Sequence, residues 1–158
     1  MDVTGDLAAP TPAGLPDLQR PSAFLLALGM HFEEIEPTRV VASMELGEDQ
    51  HTPWGVVHGG VYTTAIESVA SVGASLAVLN RGQFAVGVNN STDFLRPLVS
   101  GRVQVVAEPI HQGASQQLWQ VTIARAEDGK MVARGQVRLQ NVDLPTEPAA
   151  EGSAAETA

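Results

Sequence analysis

Glu67 is the only Asp, Glu, Lys or Arg between Asp49 and Arg81. It sits inside the stretch GVVHGGVYTTAIESVASVGASLAVL, residues 55–79, which is otherwise apolar, small or hydroxylated apart from a histidine at its start. A glutamate on a solvated helix face usually has charged neighbours three or four positions away, but here those neighbours are Thr63, Thr64, Ala70 and Ser71. A surface position and a purely hydrogen-bonding role are the competing readings. A carboxylate partly withdrawn from water has its charged form destabilised, which makes it a better base or nucleophile toward a carbonyl.

The second chemical element is His58-Gly59-Gly60 at the start of the same stretch. The first amides of a helix lack partners within it and point outward with the positive end of the dipole. Glycines there let a ligand oxygen approach, so the amides of Gly59 and Gly60 are candidates for polarising a carbonyl. The alternative is that the glycines serve a tight entry turn after Pro53-Trp54-Gly55. Gly60 and Glu67 are seven residues apart, about 10.5 Å along a helix, too far for one carbonyl to touch both. If they act together, the amide of one subunit meets the glutamate of another, and a two-fold dimer builds two such sites.

The elements that must position these groups are legible in outline. Residues 55–79 predict one long helix, preceded by a short apolar helix over 22–29 and a hairpin from His31 through Pro37 to Leu46. Four segments rich in Val, Ile and aromatics follow at 84–94, 102–110, 116–125 and 130–140, separated by RPLVSG, HQGAS and EDG. One long helix against about six mostly antiparallel strands is an α+β layout in which the sheet covers the helix. At 100° per residue, Val61, Ala65, Val69, Val72 and Leu76 form the expected core stripe and Glu67 points away from it, on a line with Gly60 and Ala74.

Composition bounds the rest. The chain has 158 residues, 44% of them hydrophobic, and no cysteine, as expected for one domain with its own core and no disulfide or thiolate chemistry. The net charge of −9 is concentrated at the ends, since residues 143–158 hold four acidic groups and no basic one, and this leaves no footprint for nucleic acid. Residues 1–20 and 143–158 are rich in Pro, Ala, Gly or acidic residues and predict disordered tails around a domain at 21–142. The start lacks the pattern of an export signal, the long helix is interrupted by Gly, Thr, Ser and Glu67, and a cytoplasmic protein without a membrane partner is the expectation. His31, His51, His58 and His111 show no metal-ligand spacing, and no GxSxG elbow is present, so neither metal chemistry nor a serine triad is expected.

WGVVHGG followed by Glu67, with FLRP and HQGAS downstream, resembles the hotdog-fold acyl-CoA thioesterases of the PaaI type. It resembles especially the branch containing 4-hydroxybenzoyl-CoA thioesterase, with a glutamate on the central helix. The likeness spans roughly residues 25 to 141. It implies a long helix wrapped by an antiparallel sheet, side-by-side homodimers and usually a homotetramer, with coenzyme A as part of the substrate and no separate cofactor. It further implies hydrolysis of an acyl-CoA thioester, aromatic or aliphatic. Glu67 would be nucleophile or general base, the Gly59 amide would polarise the carbonyl, and His58 would support that turn. Gly60, Thr63 and Thr64 line the same face.

By position, Ser71 matches a hydroxyl that helps place water, while Arg96 of FLRP and Ser115 of GAS match positions used for the nucleotide and phosphates of CoA. Arg96 also reads as a plain loop cation and Ser115 as a turn residue. Many relatives carry Gln or Asn six residues before the motif's histidine, where this chain has Thr52, so either Thr52 or Gln50 takes that helper role or the substrate range differs. Two other classes stay open: a non-catalytic acyl-CoA binding or regulatory module, and a hotdog enoyl-CoA hydratase, for which the expected pairing of aspartate and histidine is missing.

Overall fold

The computed structural model describes residues 17, 18 and 20–145, and most of the two expected tails lies outside them. Short helix α1, Ala23–Ala27, begins where the Ser22 hydroxyl accepts from the Leu25 amide at 3.3 Å. Strands β1 (Met30–Glu36) and β2 (Arg39–Leu46) form the hairpin, turning at Pro37-Thr38. After a 3-10 turn at Glu48–Gln50 comes the long helix α2, Gly59–Leu79. Strands β3 (Gln83–Phe94), β4 (Gly101–Gln112), β5 (Gln116–Arg125) and β6 (Met131–Asp143) complete the described elements.

All strand pairings are antiparallel, in a single six-stranded sheet of order β1-β2-β4-β5-β6-β3. Helix α2 packs against the sheet, most extensively against the edge strand β3. Burial alternates along β6: Gly135, Val137, Leu139 and Asn141 face inward, and Arg134, Gln136 and Arg138 outward. This is the α+β arrangement of a central helix on an antiparallel sheet.

Two expectations for α2 need correction. The helix starts at Gly59 rather than at 55, because Pro53 and Gly55 shape a turn closed by Thr52 N–H to Val56 O at 2.7 Å, and Gly55 has φ 75°. The core stripe is also broader and rotated. Val61, Ala65 and Val69 are buried as expected, but Val72 and Leu76 are half-buried, while Tyr62, Ile66, Ala70, Gly73 and Ala74 lie inside. Ala70 and Ala74 therefore belong to the core and not to the line of Glu67. The physical cause is Trp119 of β5, fully buried, whose ring lies where a Cβ on Gly73 would come within 2.5 Å, so the largest core side chain seats itself on the smallest helix residue. By length and composition alone α2 is apolar enough to cross a membrane, and ten of its residues are buried within the fold.

Candidate active site

The N-terminus of α2 separates the two glycine amides. The His58 Nδ1 accepts from the Gly60 amide at 2.8 Å, so His58 is the N-cap and Gly60 is already engaged. No described residue accepts from the Gly59 amide, which leaves it as the outward donor. That cap assigns the Nδ1 of His58 as an acceptor and its other nitrogen as the proton carrier. Beside Gly59, an open cleft of about 410 Å³ is lined by Val57, Tyr62, Phe94, Leu95, Arg96 and Pro97. Phe94, though 59% exposed, lays its ring over Gly59, 2.9 Å from where a Cβ there would sit.

Glu67 lies half-buried two turns along, facing β3. The inward face of β3 changes parity along its length, because the pairing with β6 shifts between Gly87 and Asn89 and leaves Val88 as an extra residue. Before the bulge the odd positions face the helix: Ala85, whose amide donates to Ser75 Oγ at 3.1 Å, and Gly87. After it the even positions do: Asn90, Thr92 and Phe94. In a regular strand, without the bulge, Gly87 and Asn90 are three residues apart and would sit on opposite faces. With it, both meet Glu67: Gly87 lies against Oε1, and the Asn90 Nδ2 donates to Oε2 at 3.2 Å.

The remaining expected residues distribute unevenly. Thr63 is on the same face, its hydroxyl donating to Gly59 O at 3.2 Å and its carbonyl accepting from Asn90 Nδ2 at 3.1 Å. Thr64 accepts through its carbonyl from the Ser68 hydroxyl at 2.7 Å, and Ser71 lies half-buried one turn beyond Glu67. Thr52 and Gln50 spend their side chains on local turns. The Thr52 hydroxyl accepts from the Trp54 amide at 3.3 Å, and the Gln50 Oε1 accepts from the Gly47 amide at 2.9 Å. Gln50 also supports the helix entrance, since its carbonyl accepts from the His58 amide at 2.8 Å.

Arg96 and Ser115 do not come together in one chain. Arg96 is exposed beside the Gly59 cleft and donates to Met131 O at 2.6 Å. Ser115 is exposed at the opposite end of the helix, where its carbonyl accepts from the Asn141 amide and the Asn141 side chain is tied through Gln117 to Ala74 O. From Gly59 to Ala74 is about 22 Å along the helix axis.

Gly87, Asn90 and Phe94 are site residues that residue types alone did not single out. The available signal was the polar run Asn89-Asn90-Ser91-Thr92-Asp93 between the apolar segments Phe84-Ala85-Val86 and Phe94-Leu95. Among the described residues no three His, Asp or Glu gather into a metal-binding group.

A model of the thioesterase superfamily matches residues 54–132, the segment that carries α2, the bulged strand and the Glu67 site. Rv1847 of Mycobacterium tuberculosis, named as a candidate esterase, is 50% identical over 119 residues, covering 73% of this chain and 84% of that protein. Its solved structure superimposes with a TM-score of 0.76 over 79% of this chain and 100% of that one. The thioesterase HI1161 of Haemophilus influenzae, 30% identical, matches with a TM-score of 0.72 over 78% of this chain and 85% of that one. The 1,4-dihydroxy-2-naphthoyl-CoA hydrolase of Escherichia coli is 32% identical over 61% of this chain and 70% of its own length.

Fold and family together define a hotdog-fold thioester hydrolase. The chain belongs to the thioesterase superfamily.

Proposed function

We propose that the protein hydrolyses an acyl-CoA thioester to free acid and CoA, with Glu67 as nucleophile or as the base that activates water. The observation that carries this reading is the state of Glu67: half-buried, without a charged partner on its helix, one carboxylate oxygen bonded by Asn90 and the other bonded by no described residue. The E. coli and Listeria monocytogenes relatives named as 1,4-dihydroxy-2-naphthoyl-CoA hydrolases support CoA as the thiol portion and an aromatic acyl group among the candidates.

Attack on the thioester carbonyl places negative charge on its oxygen, and the free Gly59 amide at the positive end of α2 is the donor suited to receive it. Collapse of the adduct breaks the C–S bond and releases CoA. When Glu67 attacks directly, water then opens the resulting anhydride; when it acts as base, it takes the proton from water.

Gly59 and Glu67 are eight residues apart on one continuous helix, about 12 Å. The site is therefore built between subunits of a homodimer, the amide of one facing the glutamate of the other. Edge strand β3 offers the pairing surface: its outer side has no neighbour in the sheet among the described residues, and Gly87, Val88 and Asn89 at the bulge are exposed. The same arrangement would bring Ser115 of one subunit toward Arg96 of the other, as CoA nucleotide and phosphate contacts. Pairing of two such dimers into a tetramer and a cytoplasmic location complete the proposal.

The test is release of free thiol from benzoyl-CoA, phenylacetyl-CoA and medium-chain acyl-CoA by the full chain. Turnover that disappears in Glu67→Ala is the expected result. Turnover unchanged in that variant sinks the mechanism, CoA binding without turnover favours a binding module, and an active monomer by light scattering sinks the shared site.

A further inference from the structure

The Asn90 side chain has one possible orientation. Its Nδ2 faces two acceptors, Thr63 O at 3.1 Å and Glu67 Oε2 at 3.2 Å, while its Oδ1 accepts from the Thr92 hydroxyl at 2.7 Å. Flipping the amide would set its oxygen against a carbonyl and a carboxylate and lose both of those hydrogen bonds, while the Thr92 hydroxyl can pair with either end. Thr63 is one turn before Glu67 on α2, so the carboxamide bridges the helix backbone and the glutamate head in a single contact. The other carboxylate oxygen, Oε1, fills the place that a side chain at exposed Gly87 would take, and no described residue bonds it.

The geometry points to Asn90 as the positioning residue of Glu67, holding Oε2 and presenting Oε1 to the thioester or to water; this rests on the function proposed above. The bulge at Val88 is what makes this possible, since it turns Gly87 and Asn90 to the same face. Thr92 acts one step further out by fixing the amide. A carboxylate on a flexible two-methylene arm samples several rotamers, and each wrong one removes the attacking oxygen from the substrate.

Three variants and one spectrum test the assignment on the full chain, with benzoyl-CoA as substrate. Asn90→Ala should lower kcat on the order of 10- to 100-fold, as expected for a misplaced reacting group, with KM within about twofold. Asn90→Asp should lower it further, because it replaces the donor with a like charge beside Glu67. Thr92→Val, which keeps the side-chain shape and removes the hydroxyl, should give a smaller kcat loss in the same direction and carries the test if Asn90→Ala does not fold.

The readout that does not depend on activity is the side-chain amide signal of Asn90 in the nitrogen-labelled protein, which should move in Glu67→Ala. An Asn90 signal unmoved by Glu67→Ala overturns the assignment, as does kcat unchanged in folded Asn90→Ala. A moved signal in a protein that hydrolyses no thioester would keep the contact and sink the enzymatic reading instead.

Discussion

Gly87 faces Glu67 so closely that a Cβ at position 87 would overlap the Oε1 of the glutamate. Strand β3 and helix α2 meet here without a side chain between them, and the absence is what leaves the carboxylate its place. In Gly87→Ala the flexible Glu67 head gives way more easily than the backbone, so the carboxylate swings off its Asn90 contact. We expect kcat to fall on the order of 10- to 100-fold, as for an ångström-scale misplacement of a reacting group. The melting temperature should change by only a few degrees, since the displaced atoms are the end of a side chain. Steady-state kinetics beside a thermal melt checks both halves, and full activity in a folded Gly87→Ala would refute the tight fit.

His58 caps α2 through its ring, its Nδ1 accepting from the Gly60 amide. Removing the acceptor in His58→Ala orphans the Gly60 amide and should destabilise the protein by about 1 kcal/mol. His58→Asn offers a side-chain oxygen at the same position and should recover most of the loss. Equal denaturant midpoints for the two variants would show that the cap is not the source of stability.

Most of the fold was legible because hydrophobic period and turn chemistry agree along the chain. The hairpin through Pro37, the segments rich in Val, Ile and aromatics, and the turns RPLVSG, HQGAS and EDG between them placed six strands within a few residues of their observed ends. What escaped was set by contacts across elements. A bulge adds one residue without changing composition, so nothing in Gly87-Val88-Asn89 distinguishes it from a regular strand, and with it went the pairing of Gly87 and Asn90 on Glu67. Val72 and Leu76 fit the helical period of a core stripe, yet the docking of Trp119 on Gly73 rotated the buried face past them. Glu67 stood out in the sequence for its lack of charged company; its neutral partner, Asn90, is on a strand 23 residues later.

The turn that carries Ser115 is held by a buried polar chain. Asn141 Nδ2 donates to Gly113 O and Ala114 O, both at 3.1 Å, and its Oδ1 accepts from Gln117 Nε2, whose amide oxygen accepts from the Trp119 indole at 3.0 Å. Asn141→Leu keeps the branched side-chain shape and strands two carbonyls, which should cost roughly 1 to 3 kcal/mol. Faster hydrogen exchange should appear at residues 113–115 and not at the His58 cap, at the far end of α2. Unchanged exchange in that turn would show that its conformation does not depend on Asn141.

Tyr62 is the only tyrosine, so its phenol can be followed directly by absorbance. It is 3% exposed, its hydroxyl has no hydrogen-bond partner among the described residues, and burial pushes its pKa up from 10.0 to about 12. Titration of the native protein should therefore show phenolate forming near 12, and titration in denaturant near 10. The stability consequence follows in sign: below pH 10 the phenol is protonated in both states and its contribution is intact. Between about 10 and 12 only the unfolded state loses the proton, so stability falls as pH rises and levels off once the folded phenol also ionises. Tyr62→Phe should flatten that part of the stability curve. Below pH 10 it should leave the fold as stable or more so, because a buried donor without an acceptor is removed. Native phenolate appearing near 10 would place the ring in water instead of against Phe94 and the core.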